Sequence, residues 1–216
     1  AITSLPAAAA AGNDVIACTR NTQKSPNLII LAKENRAIKV LDLDVCAEAD
    51  VTKTASRIRD SIDILVCNAG VLNSYGGLQD PEHSSCNIET VLMTNIAGVF
   101  FTARSFLPHI LADLPGKIAI ISSIMGSQEL VNSNAPIYRA SKAAATNLAR
   151  SMAVELASRG VAVGAFHPGW VRTDMGGNDA SVSPKDSAAG LLKRFDALSL
   201  KTTGIFEDFQ GNSLPF

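Results

Sequence analysis

The sequence predicts an α/β fold, a doubly wound parallel sheet with helices on both faces. Three observations carry this prediction. Short apolar runs recur and close on small-residue turns: residues 62–67 before Asn68-Ala69-Gly70, 116–121 before Ser122-Ser123, and 161–166 before His167-Pro168-Gly169. Apolar runs without alternation fit strands that are covered on both sides. Longer helical stretches separate them, and that alternation argues for a parallel sheet. Beyond the alanines at 7–11, no repeat or low-complexity linker interrupts the series, so the 216 residues read as a single domain.

The elements follow in order. Pro6, the alanine run and Gly12 read as the last turns of a helix with a glycine stop. Residues 14–19 form a short buried strand, 25–34 a helix and 38–45 a strand. Residues 51–61 form a helix ahead of the strand that ends at Asn68. A long helical region spans 88–111, with Pro108 near its end, and another spans 138–159, closed by Gly160.

At 216 residues the chain is long enough to bury one substantial core. Hydrophobic residues make up 47% and charged residues 18%, the balance of a globular protein with a well-buried sheet. A net charge of −1 gives no electrostatic reason to expect nucleic acid or an anionic membrane as partner. No uninterrupted apolar stretch reaches the roughly 20 residues of a membrane span, and no basic segment precedes an apolar core at the start, so no secretory signal is expected. Cys18, Cys46, Cys67 and Cys86 are widely spaced, with Cys18 and Cys67 in predicted buried strands. They do not cluster with His83, His109 or His167. No metal site or disulfide framework is expected, and a reducing cytosol is the natural compartment.

Tyr138 and Lys142 are four apart in a predicted helix, so their side chains leave the same face. An ammonium beside a phenol favours the phenolate and is expected to lower the tyrosine pKa, making it an acid or base near neutral pH. In isolation such spacing also arises as a plain surface pair. Its context is more specific: Asn68-Ala69-Gly70, Thr94-Asn95-Ile96-Ala97-Gly98, Ser122-Ser123, Tyr138-x-x-x-Lys142 and Pro168-Gly169 occur in that order. Through these motifs the chain, from about Gly12 to its end, resembles the short-chain dehydrogenase/reductase family. The stretches Met175-Gly176-Gly177, Gly204-Ile205-Phe206 and 211–216 look like the C-factor and sniffer-type carbonyl reductase subgroup.

The resemblance implies a Rossmann-type sheet. It also exposes an anomaly, because the family's Thr-Gly-x-x-x-Gly-x-Gly turn, which meets the cofactor pyrophosphate, has no counterpart here. The N-terminal strand and its glycine-rich turn are therefore expected to be missing, with Ala1-Ile2-Thr3-Ser4 resembling remnants of them. That strand is central in the sheet order, so its loss is expected to split the sheet and to leave a chain that does not fold stably. Intact-mass measurement tests whether a segment has been omitted.

By resemblance, Tyr138 is the proton donor in carbonyl reduction, and Lys142 lowers its pKa and binds the nicotinamide ribose. Ser123 polarises the substrate carbonyl; Ser122 is the competing choice, set aside because the second serine matches the family position. An insertion around 132–136 absorbs the slightly long gap between Ser123 and Tyr138. Asn95 is expected to hold a water that relays protons from Lys142, or alternatively to bond a neighbouring backbone. Asn68, Ala69 and Gly70 let the backbone approach the adenosine side of the cofactor. Asp44 and Val45 match the adenine-contacting pair, and Pro168, Gly169, Val171 and Thr173 the turn that seats the nicotinamide carboxamide; His167 reads as structural. Arg20, after Thr19 and with no acid between them, suits a 2′-phosphate and so NADP(H) over NAD(H), unless it is simply solvated.

The function implied is NADPH-dependent reduction of a small-molecule ketone, aldehyde or quinone, in a cytoplasmic homodimer or homotetramer that meets neither nucleic acid nor membrane. A cofactor-binding regulatory or signalling protein of the same fold, with little turnover, is the alternative. The glycine-rich loop after Thr173 is expected to close over the substrate.

Overall fold

The computed structural model describes residues 4–113 and 115–216; the proposed remnants Ala1, Ile2 and Thr3 lie outside them. Helix α1 (Ser4–Ala10) ends ahead of Gly12, whose φ of +87° turns the chain into β1 (Val15–Thr19). Ser25 and Pro26 open α2 (Pro26–Glu34), since proline at the first helical position forfeits a bond that is unmade anyway. Then come β2 (Ile38–Asp42), α3 (Glu48–Arg57) and β3 (Ile64–Cys67). The predicted long helix runs from Ser85 to Ile110, as α4 (Ser85–Leu92), a π-helical turn (Met93–Ala97) and α5 (Gly98–Ile110). By length and composition it could cross a membrane, but Val99, Ala103, Phe106 and Ile110 lie in the core.

Strand β4 (Gly116–Ile121), α6 (Pro136–Ala157) and β5 (Val161–His167) match the predicted elements closely. Helix α7 (Pro184–Ala197) and β6 (Phe206–Asp208) have no counterpart in the sequence prediction. Helix α3 starts earlier than predicted and stops at Arg57, leaving 58–61 outside the helix.

All described strand pairs are parallel. Among the described residues they fall in two groups, β1-β2 and β3-β4-β5-β6, a division between β1 and β3 that matches the expected split of the sheet. Strand β4 shows the double covering. Ile118 and Ile120 face the core built with α3, α5 and α6, while Ala119 and Ile121 face Phe195 and Leu198 on the α7 side. Cys67 is buried as expected, but Cys18 is exposed. The reason is alternation: Ala17 packs under α1 and α2, whereas Cys18 points to the other face, at the open side of β1.

Candidate active site

The end of β4 separates its two serines. Ser122 continues the ladder, donating its N–H to the Phe166 carbonyl at 2.8 Å. Its hydroxyl donates to the Lys142 carbonyl at 3.0 Å and pairs with the Thr146 hydroxyl at 2.6 Å. Ser122 thus fastens the strand end to α6. Ser123 turns elsewhere: its Oγ accepts the Met125 N–H at 3.2 Å and caps the single turn Ile124–Gly126. That turn lies directly on the helix, because a Cβ on Gly126 would stand 2.7 Å from the Lys142 carbonyl carbon. Only glycine permits so close an approach.

Helix α6 begins with Pro136 after Ala135, a fully buried alanine held left-handed at φ 47°. The cost of that conformation is offset in part by its N–H, which donates to the Gly76 carbonyl at 2.9 Å. Tyr138 and Lys142 follow on the first turns, both buried. Lys142 Nζ donates to the Ile121 carbonyl at 2.9 Å and lies 5.7 Å from the centroid of the Tyr138 ring. The expected lowering of the tyrosine pKa does not occur in this structure. Burial pushes Tyr138 up to about 12; Ser123 acts in the opposite direction and Tyr75 reinforces the rise. Burial also pushes Lys142 down to about 8. Loss of hydration dominates, and the phenol keeps its proton at neutral pH.

Asn95 sits in the π-helical turn, a distortion often found at functional sites, and is fully buried. Its Oδ1 accepts the Val71 N–H at 2.8 Å, while Nδ2 donates to the Val71 carbonyl and to Ser141 Oγ, both at 2.9 Å. Ser141 in turn donates to the Tyr138 carbonyl at 2.7 Å. Both amide hydrogens are therefore committed, and Oδ1 keeps one lone pair. The bonded backbone is 24 residues away, not the sequence neighbour expected of a solitary helix asparagine. Gly70 completes the cluster, since a Cβ there would be 3.2 Å from Lys142 Nζ and 3.5 Å from Asn95 Oδ1.

The remaining predicted residues lie at the C-terminal ends of the parallel strands, where ligands bind in such sheets. Arg20 follows β1 and is exposed, in no ion pair among the described residues. Asp44 and Val45 follow β2. Asp44 Oδ1 accepts the Cys46 N–H at 2.9 Å, and Val45 packs inward where a Cβ on Gly98 would meet it. Asn68 is exposed just past β3, and Ala69 is half-buried beside it. After β5, the Pro168 carbonyl accepts the Ser187 hydroxyl at 2.6 Å, and Gly169 turns at φ +83°. Val171 bridges to Val182, and the exposed Thr173 accepts the Gly176 N–H at 3.2 Å. His167 has a buried, unpartnered Nδ1 and is pushed down to about 4, chiefly by burial, with Asp208 opposing.

Asn95, Gly70, Ser123, Tyr138 and Lys142 therefore form one cluster, with Arg20, Asp44 and Val45 apart from it at the neighbouring strand ends. Sequence reasoning missed Ser141, Thr146, Gly126 and Tyr75. Ser141, beside Lys142, carried a signal in its i+3 position from Tyr138.

Known proteins share this arrangement of elements. A family model described as short chain dehydrogenase matches residues 6–182. The C-signal of Myxococcus xanthus is 34% identical over 156 residues, covering 72% of this chain and 93% of that protein. Among solved structures, the carbonyl reductase Sniffer of D. melanogaster superposes with a TM-score of 0.87 at 25% identity, covering 93% of this chain and 87% of that one. A carbonyl reductase from Pseudomonas aeruginosa PAO1 in complex with NADP gives 0.85 at 29% identity, covering 100% and 94%.

Proposed function

The chain belongs to the short-chain dehydrogenase/reductase family, and from that premise we propose that it is an NADPH-dependent carbonyl reductase, converting a ketone, aldehyde or quinone to an alcohol. The observation that carries this reading is the buried Tyr138 beside Ser123, with Lys142 one helical turn on. Ser123 holds the substrate oxygen through its hydroxyl, and the Tyr138 phenol, protonated at neutral pH, gives that oxygen its proton. NADPH, when bound, supplies the hydride that the carbonyl carbon receives. Asn95 positions Tyr138 and Lys142 by tying α6, through Ser141, to the Val71 backbone.

The residues present fit the nicotinamide and adenosine ends of the cofactor. The Lys142 ammonium has three donors and bonds one acceptor among the described residues, the Ile121 carbonyl, leaving two donors for ribose hydroxyls. Arg20 would hold the 2′-phosphate, Asp44 and Val45 the adenine, and Asn68, Ala69 and Gly70 the adenosine side. Pro168, Gly169, Val171 and Thr173 would seat the carboxamide. The NADP in the Pseudomonas structure supports this choice. The same reading makes the 216 residues one dinucleotide-binding domain in the cytosol. It also makes the chain a homodimer or homotetramer through the long helices, where Phe100 and Val154 are exposed.

The division of the sheet between β1 and β3 favours a second reading, a regulatory protein that binds cofactor with little turnover. Titration with NADPH and with NADH, followed by assay of menadione reduction, separates the two. Preferential NADPH binding with turnover supports the reductase; NADPH binding without turnover supports the regulator. Binding of neither nucleotide defeats both.

A further inference from the structure

Tyr75 joins two loops that flank Tyr138. It lies in the loop after β3, and its carbonyl shares the Ala135 N–H with that of Gly76, at 3.3 and 2.9 Å. Its backbone is thereby fixed at the residue preceding α6, three positions before Tyr138. Its phenol reaches the other way, donating to the Met175 carbonyl at 3.0 Å, 100 residues along the chain. The segment it meets is already closed on itself. Gly177 donates its N–H to the Thr173 carbonyl at 2.8 Å, and Trp170 Nε1 donates to the Gly176 carbonyl at 2.8 Å. Tyr75 ties this folded loop to the start of the helix that carries Tyr138.

The ring between those two anchors is 51% exposed, and its neighbours Trp170 and Met175 are exposed too. A large aromatic held at both ends and still open to solvent is a preformed apolar surface. Tyr75 is also near enough to Tyr138 to raise the cost of ionising it. The surface therefore stands beside the proton donor, at the strand-end rim where the substrate enters.

We propose that Tyr75 is a specificity-determining residue: a strut across the mouth of the site whose ring receives the flat apolar body of an aromatic carbonyl substrate. The proposal rests on the carbonyl-reductase reading for its substrate, but the strut itself does not. Small aliphatic carbonyls reach Ser123 and Tyr138 without using the ring, so the two substrate classes respond differently to its loss.

The full chain, with Tyr75→Phe and Tyr75→Ala, provides the test. In hydrogen exchange without substrate, Tyr75→Phe is expected to speed exchange of residues 173–177 while α6 keeps its protection; unchanged exchange overturns the strut. In kinetics with NADPH, Tyr75→Ala is expected to raise KM for 9,10-phenanthrenequinone about two- to tenfold, the worth of one aromatic contact. Tyr75→Phe, which also lacks the strut, is expected to retain the aromatic preference. Measured against it, Tyr75→Ala is expected to leave KM for butane-2,3-dione and both kcat values the same. An equal rise in both KM values, or a loss confined to kcat, overturns the specificity role. Wild-type protein that binds NADPH but reduces neither dione overturns the carbonyl-reductase reading and the specificity role with it, and the exchange rates then decide the strut alone.

Discussion

Lys142 Nζ lies 5.7 Å from the centroid of the Tyr138 ring and is bonded to the Ile121 carbonyl at 2.9 Å. Burial moves the two groups in opposite directions, Lys142 from 10.5 down to about 8 and Tyr138 from 10.0 up to about 12. Between pH 8 and 10.5 the unfolded chain holds a lysine proton that the native protein has released, so stability rises with pH. Between pH 10 and 12 the native tyrosine keeps a proton that the unfolded chain has lost, so stability falls. Each slope is at most about 1.4 kcal/mol per pH unit. The buried Cys67 thiol, pushed from 9.0 up to about 12, opposes the lysine above pH 9. Urea midpoints of the cofactor-free protein are therefore expected to rise between about pH 8 and 9 and to fall above pH 10, with Lys142→Met removing the rise alone. A rise that persists in that variant assigns it to another group.

Tyr138→Phe removes the proposed proton donor and leaves the buried ring in place. Turnover of a carbonyl substrate is expected to fall about 10²- to 10⁴-fold, the usual worth of a positioned acid. The urea midpoint and NADPH affinity are expected to stay near wild type. Undiminished turnover in steady-state assays defeats the mechanism.

The adjacent serines should separate stability from catalysis. Ser122→Ala leaves the Thr146 hydroxyl without its partner inside the protein and removes a second bond to the Lys142 carbonyl, a loss of about 1–3 kcal/mol in denaturant unfolding. Ser123→Ala forfeits only the cap on Met125, a smaller loss of about 0.5–2 kcal/mol, and is expected to lower kcat about 10²- to 10³-fold, as removal of a charge-stabilising donor does. The reverse pattern would exchange the roles of the two residues.

The order of strands and helices was legible because each buried strand of this sheet is a plain apolar run, and Gly12 and Gly160 stop their helices through positive φ. The four-residue spacing of Tyr138 and Lys142 was legible for the same local reason. The π-helical turn at Asn95 was not, because its side chain is held by Val71 and Ser141, partners that only the folded chain brings near. The direction of the Tyr138 shift was hidden too. It is set chiefly by burial, and sequence spacing reveals a nearby cation but not the depth of burial. Helix α7 was overlooked despite a local signal: Ser183 Oγ accepts the Asp186 N–H at 3.0 Å, the N-cap pattern that Ser-Pro-x-Asp spells out.

Asn95→Ala leaves the half-buried Val71 N–H and carbonyl and the buried Ser141 hydroxyl short of partners. A loss of about 2–4 kcal/mol is expected, since unmade buried bonds cost more than made ones gain. Because Ser141 also bonds the Tyr138 carbonyl, kcat should fall along with stability. A variant with wild-type stability and reduced kcat would separate a proton-relay role from this tethering.

Arg20 is the residue proposed to decide the nucleotide. It stands just past β1, and the nearby acid at the end of β2, Asp42, already accepts the Thr22 N–H at 2.7 Å. Arg20 itself is exposed and unpaired among the described residues, so its guanidinium can meet a 2′-phosphate without first breaking an ion pair. Removing a charged hydrogen-bonding partner costs about 1.5–3 kcal/mol, which is roughly a ten- to hundredfold loss of affinity. Arg20→Ala is therefore expected to weaken NADPH binding by that factor and to leave NADH binding unchanged, read by fluorescence titration of the purified protein. The wild-type preference for NADPH should also shrink as salt is raised, because an exposed pair is screened over about 8–10 Å at physiological ionic strength. Equal weakening of both nucleotides would show that Arg20 supports the binding loop and does not read the phosphate.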